Sequence, residues 1–316
     1  MNYTPARQPT LYFIGVTTTQ SSIMTVFPAW MKFLGLQDAA IRGMDFPLDA
    51  APEEYHNAVK FIHEDPLSLG ALVTTHKISL FQACKDMFDE IDPYARLMGE
   101  TSCLSKLGGR LVCHAKDPIS SGLTIDLMLK PGHFSRSAGE VFCIGAGGSA
   151  IAITCHLMQK RHGGNLPSRI VVSDRDQARL HEMKNIHKRI DSNVPVSYVH
   201  VGTAEDNDAL LAKLLPGSFV INATGLGKDR PGSPLTNNSQ FPLDGIIWDL
   251  NYRGNLIFLD QARRQQLQKN LQIEDGWKYF LHGWTRVIAE VFHVDIPRDG
   301  PGFDALSKIA IAAASA

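Results

Sequence analysis

Val141-Phe142-Cys143-Ile144-Gly145-Ala146-Gly147-Gly148-Ser149-Ala150 is the stretch that decides the fold. Four apolar residues read as a buried strand, a glycine-rich turn follows, and Ile151 to Lys160 reads as a helix. Gly145-x-Gly147-x-x-Ala150 fits the dinucleotide fingerprint. The first glycine permits the tight turn, the second lets backbone approach a pyrophosphate, and the small third residue lets helix and strand pack closely. Ala146, Gly148 and Ser149 complete the turn, and the helix start offers free N–H groups to the phosphates. The next strand, from Arg169, ends at Asp174, where a carboxylate accepts hydrogen bonds from ribose hydroxyls and repels a 2′-phosphate. Arg175 can hold that phosphate instead, and Asp176 adds a second negative charge. The trio leans toward NAD, with NADP the alternative.

Working outward, strands alternate with helices, the pattern of a parallel α/β sheet. Val196–Val201, Ser218–Asn222 and Ile246–Leu250 read as strands, with a helix from Asp206 to Leu215. Toward the N-terminus, Leu11–Val16, Ile41–Phe46 and Gly70–Thr74 read as strands. Ser22–Leu34, Pro52–Glu64 and Ser79–Met87 read as helices between or after them. Gly108-Gly109 joins two strand-like runs as a hairpin. From Trp277 the pattern is helical, and Ile309–Ala316 finishes a helix. The expected class is α/β: an N-terminal three-layer α/β substrate domain (1–119 plus 274–316) followed by a Rossmann dinucleotide-binding domain (120–273).

A length of 316 residues suits two domains. A net charge of −1 gives no field to steer a polyanion, so no nucleic-acid partner is expected. Five cysteines, an odd number with no C-x-x-C pair, point to a reduced, cytoplasmic protein. No targeting segment and no membrane-spanning run is visible, and no spacing of metal-ligand type occurs. The expected partner is a small-molecule substrate, with the chain a monomer or homodimer. Phe27, Trp30 and Phe33 read as core, and His181 and His187 as solvent-facing.

Further motifs stand in a definite order. Gly15 is followed by Ser21 and, two later, Ile23. Leu72-Val73-Thr74 leads to Lys77. Gly99-Glu100-Thr101-Ser102-Cys103 and Ala115-Lys116-Asp117 come next. After the glycine turn come Asn222-Ala223-Thr224, then Asp249 with Tyr252, then His282-Gly283. In this order the chain resembles, over nearly its full length, the shikimate/quinate dehydrogenase family.

The resemblance implies an NAD(P)-dependent oxidoreductase moving a hydride between nicotinamide and a secondary alcohol of a small polyhydroxylated acid or cyclitol. It implies Lys77 and Asp117 as the catalytic pair, facing each other near the nicotinamide. It places Ser21, Thr74, Ser102, Lys116, Tyr252 and His282 at the substrate, and Asn222, Ala223 and Thr224 at the cofactor. A lysine handles a proton if its pKa falls from ~10.4 toward neutrality, which burial and a neighbouring cation promote. Lys116 is either that cation or solvated and idle. His76, His114 and His282 are candidate relays or ligands.

The chain departs from the family at Ile23, Leu72, Ser102 and Lys116, where polar residues that hold ring hydroxyls and carboxylate have changed, and Lys77 comes one residue early. The departures imply the same reaction on a different substrate, with poor activity on shikimate. Two alternatives remain: a non-catalytic NAD(P)-binding regulatory protein, and a dinucleotide enzyme of the same plan acting on another substrate class.

Overall fold

The computed structural model describes residues 3–227 and 230–314. The chain forms two compact units, one from Met1–Lys116 with Leu281–Ala316, the other from Asp117–Phe280.

The first unit runs β1 (Thr10–Gly15), α1 (Ile23–Phe33), β2 (Ala40–Asp45), α2 (Pro52–Glu64), β3 (Ser68–Val73), α3 (Lys77–Cys84), β4 (Glu90–Ile91), α4 (Pro93–Met98), β5 (Cys103–Leu107) and β6 (Arg110–His114). Its sheet order is β2-β1-β3-β5-β6-β4. β1 pairs parallel with β2 and β3, whereas β5 is antiparallel to β3 and β6. The β5–β6 turn has φ of 57° at Gly108 and 80° at Gly109, the double positive φ that a two-residue hairpin requires.

The second unit runs α5 (Asp117–Met128), α6 (His133–Ser137), β7 (Val141–Ile144), α7 (Gly148–Leu157), β8 (Ile170–Asp174), α8 (Gln177–His187), β9 (Val196–His200), α9 (Ala204–Leu211), β10 (Phe219–Asn222), β11 (Ile246–Asp249), α10 (Ile257–Arg263), α11 (Gln266–Lys269) and β12 (Gln272–Glu274). Its sheet is all parallel in the order β12-β11-β10-β7-β8-β9, the Rossmann arrangement. β7 and β10 are buried along their whole length, as strands covered on both faces are. Phe142, Val220, Ile247 and Phe258 anchor this core.

The unit boundary falls inside α12 (Trp277–Phe292), and α13 (Gly300–Ala314) follows. The first unit's core takes in both: Trp30 Nε1 on α1 donates to Leu306 O at 2.8 Å, and Phe13 meets Trp284 edge to face. Phe27 and Trp30 are core, but Phe33, on the outer side of α1, is 49% exposed, contrary to the helical-spacing reading. All five cysteines are free and buried. Among the described residues no helix is long and apolar enough to cross a membrane, and no cluster of three His, Cys, Asp or Glu could hold a metal.

Candidate active site and dinucleotide cradle

Open α/β sheets bind ligands outside the carboxyl ends of their strands, where the strand order reverses. In the second sheet that point lies between β7 and β10. The glycine turn leaves β7 there and Asn222-Ala223-Thr224 leaves β10. Gly145 has φ +110°, and a Cβ on it would lie 2.8 Å from Ala223 O, so only glycine lets the two loops approach. Nothing lies within 4 Å of where a Cβ on Gly147 would stand, which leaves that backbone open to a pyrophosphate. Gly147 N-caps α7, Gly148 and Ser149 form its first turn, and Ala150 is fully buried. These residues fit a dinucleotide.

A cavity with about 840 Å³ of open space runs from this turn. Gly145, Gly147, Asp174, Arg175, Ala223 and Thr224 line it. So do Arg179 and Arg230, which the pattern reading missed. Arg179 was legible, lying one helical turn beyond Arg175; Arg230 comes from a distant loop with no local signal.

Asp174 Oδ2 accepts the Ala146 N–H at 2.7 Å, and Oδ1 accepts the Asp176 N–H at 2.8 Å. The acid therefore braces the glycine turn while lining the cavity. The Asp176 carboxylate caps α8 through Ala178 N and Arg179 N, and pairs with Arg179 Nε at 3.6 Å.

Asp249, wholly buried, ties the floor of the cradle together. Its Oδ1 accepts from Asn222 Nδ2 at 3.1 Å and from Asn251 N at 2.9 Å. Burial pushes its carboxyl up to about 7, against the lowering effect of those hydrogen bonds. Tyr252, just beyond, packs its ring on Phe280 and Trp277 at centroid distances of 4.8 and 5.5 Å.

In the first unit's sheet the order reverses between β1 and β3. The loop after β1 carries Ser21; the turn after β3 carries Thr74 and Lys77. Thr18 pins the former loop: its N–H and hydroxyl both donate to Asp45 Oδ1, at 2.8 and 2.5 Å, and Ser21 N donates to Thr18 O. Thr74 N donates to Ile14 O at 2.9 Å. Because β5 is antiparallel, its start also lies at this end. Val73 N donates to Ser102 O, Ser102 N to His114 O, and Lys116 N to Ser102 Oγ at 2.7 Å. Thus Thr74, Lys77, Ser102 and Lys116 come from neighbouring strand ends, with Ser21 on the adjoining loop. Ile23 is fully buried and Leu72 nearly so, which takes both out of any polar role. Asp117 starts α5.

Lys116 is neither solvated nor an unpaired cation. It is buried, and its Nζ donates to Glu290 Oε2 on α12 at 2.6 Å. His114 lies in the same group, 3.5 Å from both Asp92 and Glu290 and 2.9 Å from Ser105 Oγ. His282 is fully buried with its ring stacked on Phe303 at 4.4 Å. His76 is buried between Tyr55 and Phe46. His187 is the clear correction. It is buried, with Nε2 on Thr154 Oγ1 at 2.8 Å and Nδ1 on Tyr198 Oη at 2.7 Å, because α8 turns that face toward α7 and β9. His181 is exposed.

No protein-family profile matches the chain. Two curated relatives are shikimate dehydrogenases (NADP(+)). That of Streptococcus thermophilus is 24% identical over 181 residues, 57% of this chain and 59% of the relative. That of Symbiobacterium thermophilum is 25% identical over 207 residues, 65% of each chain. The matches thus span less than two thirds of the relatives' length. Among solved structures, a shikimate dehydrogenase in complex with NADP+ superposes with TM-score 0.70 at 18% identity, covering 97% of this chain and 96% of that one. Quinate dehydrogenase from Corynebacterium glutamicum in complex with NAD gives 0.70 at 19% identity, covering 96% and 99%. The ligand-free 5-ketofructose reductase of Gluconobacter sp. strain CHM43 gives 0.69 at 16% identity, covering 97% and 99%.

The chain is shikimate dehydrogenase-like. The relatives' names carry the likeness in sequence, and the superpositions carry the shared fold.

Proposed function

We propose that this shikimate dehydrogenase-like chain is an NAD(P)-dependent alcohol dehydrogenase. It moves a hydride reversibly between nicotinamide and a secondary alcohol of a small polyhydroxylated acid or cyclitol, with Lys77 and Asp117 as the catalytic pair. One observation carries the reading: each sheet presents its chemistry-bearing residues at its own switch point, the glycine cradle outside β7 and Lys77 outside β3.

The bound dinucleotide supplies the hydride acceptor. Lys77 takes the hydroxyl proton as the hydride leaves and returns it in the reverse direction. Asp117 orients Lys77 and accepts a substrate hydroxyl. Ser102 Oγ already accepts from Lys116 N, so its own O–H is the donor it offers to substrate. Ser21 and Thr74 contribute hydroxyls from the two loops pinned beside Lys77.

The preferred dinucleotide is NAD. Asp174 sets a carboxylate at the adenosine end, and both its oxygens retain lone pairs for ribose hydroxyls after their backbone bonds. Arg175 and Arg179 line the same cavity, and of the two Arg179 is partly engaged by Asp176. NADP is therefore accepted more weakly rather than excluded.

The test is a screen of quinate, shikimate, aminoshikimate and other polyols with NAD and with NADP, followed by the absorbance of the reduced nicotinamide. Turnover of at least one hydroxyl acid or polyol, faster with NAD, is expected. Dinucleotide binding with no turnover across the panel would favour a regulatory protein.

A further inference from the structure

The backbone reverses from β3 into α3 within three residues, Thr74-Thr75-His76, and does so through an unusual turn. His76 N donates to the Thr74 carbonyl, closing a three-residue γ turn around Thr75. Thr75 has φ +45°, a region that β-branched residues avoid. Such a conformation persists only where the surroundings over-determine it. On one side Thr74 is held by Ile14 O, through both its N–H and its hydroxyl. On the other side stands His76, 2% exposed.

The ring of His76 is fully committed. Nε2 lies 3.1 Å from Phe46 O, and a carbonyl only accepts, so Nε2 carries the proton. Nδ1 then accepts from Tyr55 Oη at 2.8 Å. Burial holds the imidazole below its ordinary pKa, against the raising effect of the Phe46 and Gly15 carbonyls. With one nitrogen donating and the other accepting, neither is left to relay a proton. The His76 carbonyl accepts Leu80 N at 2.8 Å to open α3, and Thr101 N donates to Lys77 O at 3.1 Å. The main chain of Lys77 is thereby fixed from both sides.

We propose that His76 is the positioning residue for Lys77: clamped between Tyr55 and the Phe46 carbonyl, it locks the strained turn that makes Lys77 the first residue of α3. The inference rests on the reading of Lys77 as the proton-handling group.

The experiment compares wild type, His76→Leu, His76→Gln, Tyr55→Phe, Lys77→Ala and the His76→Leu/Lys77→Ala double variant, with quinate or shikimate as substrate. His76→Leu is expected to lower kcat by ~10- to ~10²-fold, as a displaced catalytic group does, while dinucleotide affinity holds. His76→Gln, whose amide still reaches Phe46 O, should recover part of the loss. Tyr55→Phe should show a milder loss, and it substitutes for His76→Leu if that variant does not fold. The double variant should be no slower than Lys77→Ala alone. Fully additive losses, or wild-type kcat in folded His76→Leu, would overturn the proposal while leaving the role of Lys77 standing. Full activity in Lys77→Ala would overturn that role itself. Should neither substrate turn over, acylation of Lys77 by an amine-reactive ester, read by peptide mass spectrometry against Lys60, decides. A change of at least ~3-fold in His76→Leu supports the clamp, and an unchanged rate overturns it.

Discussion

Lys116 Nζ lies 2.6 Å from Glu290 Oε2, beneath α12, so the cation beside Asp117 is neutralised where it stands. Lys116 is thus half of an ion pair closed within the first unit.

Glu290→Gln should therefore leave a buried ammonium without its counter-charge. The expected loss is ~1.5–3 kcal/mol, that of a hydrogen bond between charged groups, measured by urea unfolding near neutral pH. Burial pushes the Glu290 carboxyl up, but Lys116, His114 and His293 more than reverse that and hold it below its ordinary value. A depressed carboxyl contributes its stability above the unfolded value of ~4.3 and loses it as pH falls through the folded one. The difference between wild type and variant should shrink below about pH 4; a pH-independent difference would contradict the ion pair.

Asp174→Asn keeps an oxygen for Ala146 N and removes the charge facing the adenosine end. The ratio of NADP to NAD affinity should rise by at least ~10-fold, about 1.4 kcal/mol, in a fluorescence titration. An unchanged ratio would mean that Arg175 and Arg179 alone set cofactor choice.

Acid should weaken the second unit. Burial pulls His156 down to about 3, with His162 and Arg161 adding to it, and burial pulls His187 down to about 4. Below the unfolded value of ~6.5 the unfolded chain binds these two protons and the folded chain does not, so stability falls as pH drops. Asp249 acts oppositely: folded at about 7, it holds a proton that the unfolded chain has released above ~4. Two protons against one leave a net loss of ~1.4 kcal/mol per pH unit between about pH 6 and 5. Urea midpoints across that window measure the slope. His187→Gln should flatten it, and a flat wild-type profile would contradict the burial of both histidines.

The glycine turn and the Gly108-Gly109 hairpin were legible because each is decided by neighbours in sequence. Asp174 was legible as an acid at a strand end, but its bond to Ala146 N spans 28 positions. Glu290 stands 174 positions from Lys116, and no local pattern marks it. His187 looked solvated because α8 is rich in charge; its partners, Thr154 and Tyr198, come from other elements. The short strand β12 escaped notice because its three residues are only half-buried and alternate weakly. Arg230 enters the cavity beside the glycine turn from a loop that carries no periodicity at all.

The role of Lys77 bears the most weight, and one comparison tests it directly: steady-state oxidation of the best substrate from the quinate, shikimate and polyol panel by wild type and by Lys77→Ala. Turnover should fall by ~10²–10⁴-fold, the worth of a positioned acid or base, while NAD binds as tightly as before on its separate cradle. Undiminished turnover in Lys77→Ala would contradict the assignment of the proton step to this lysine.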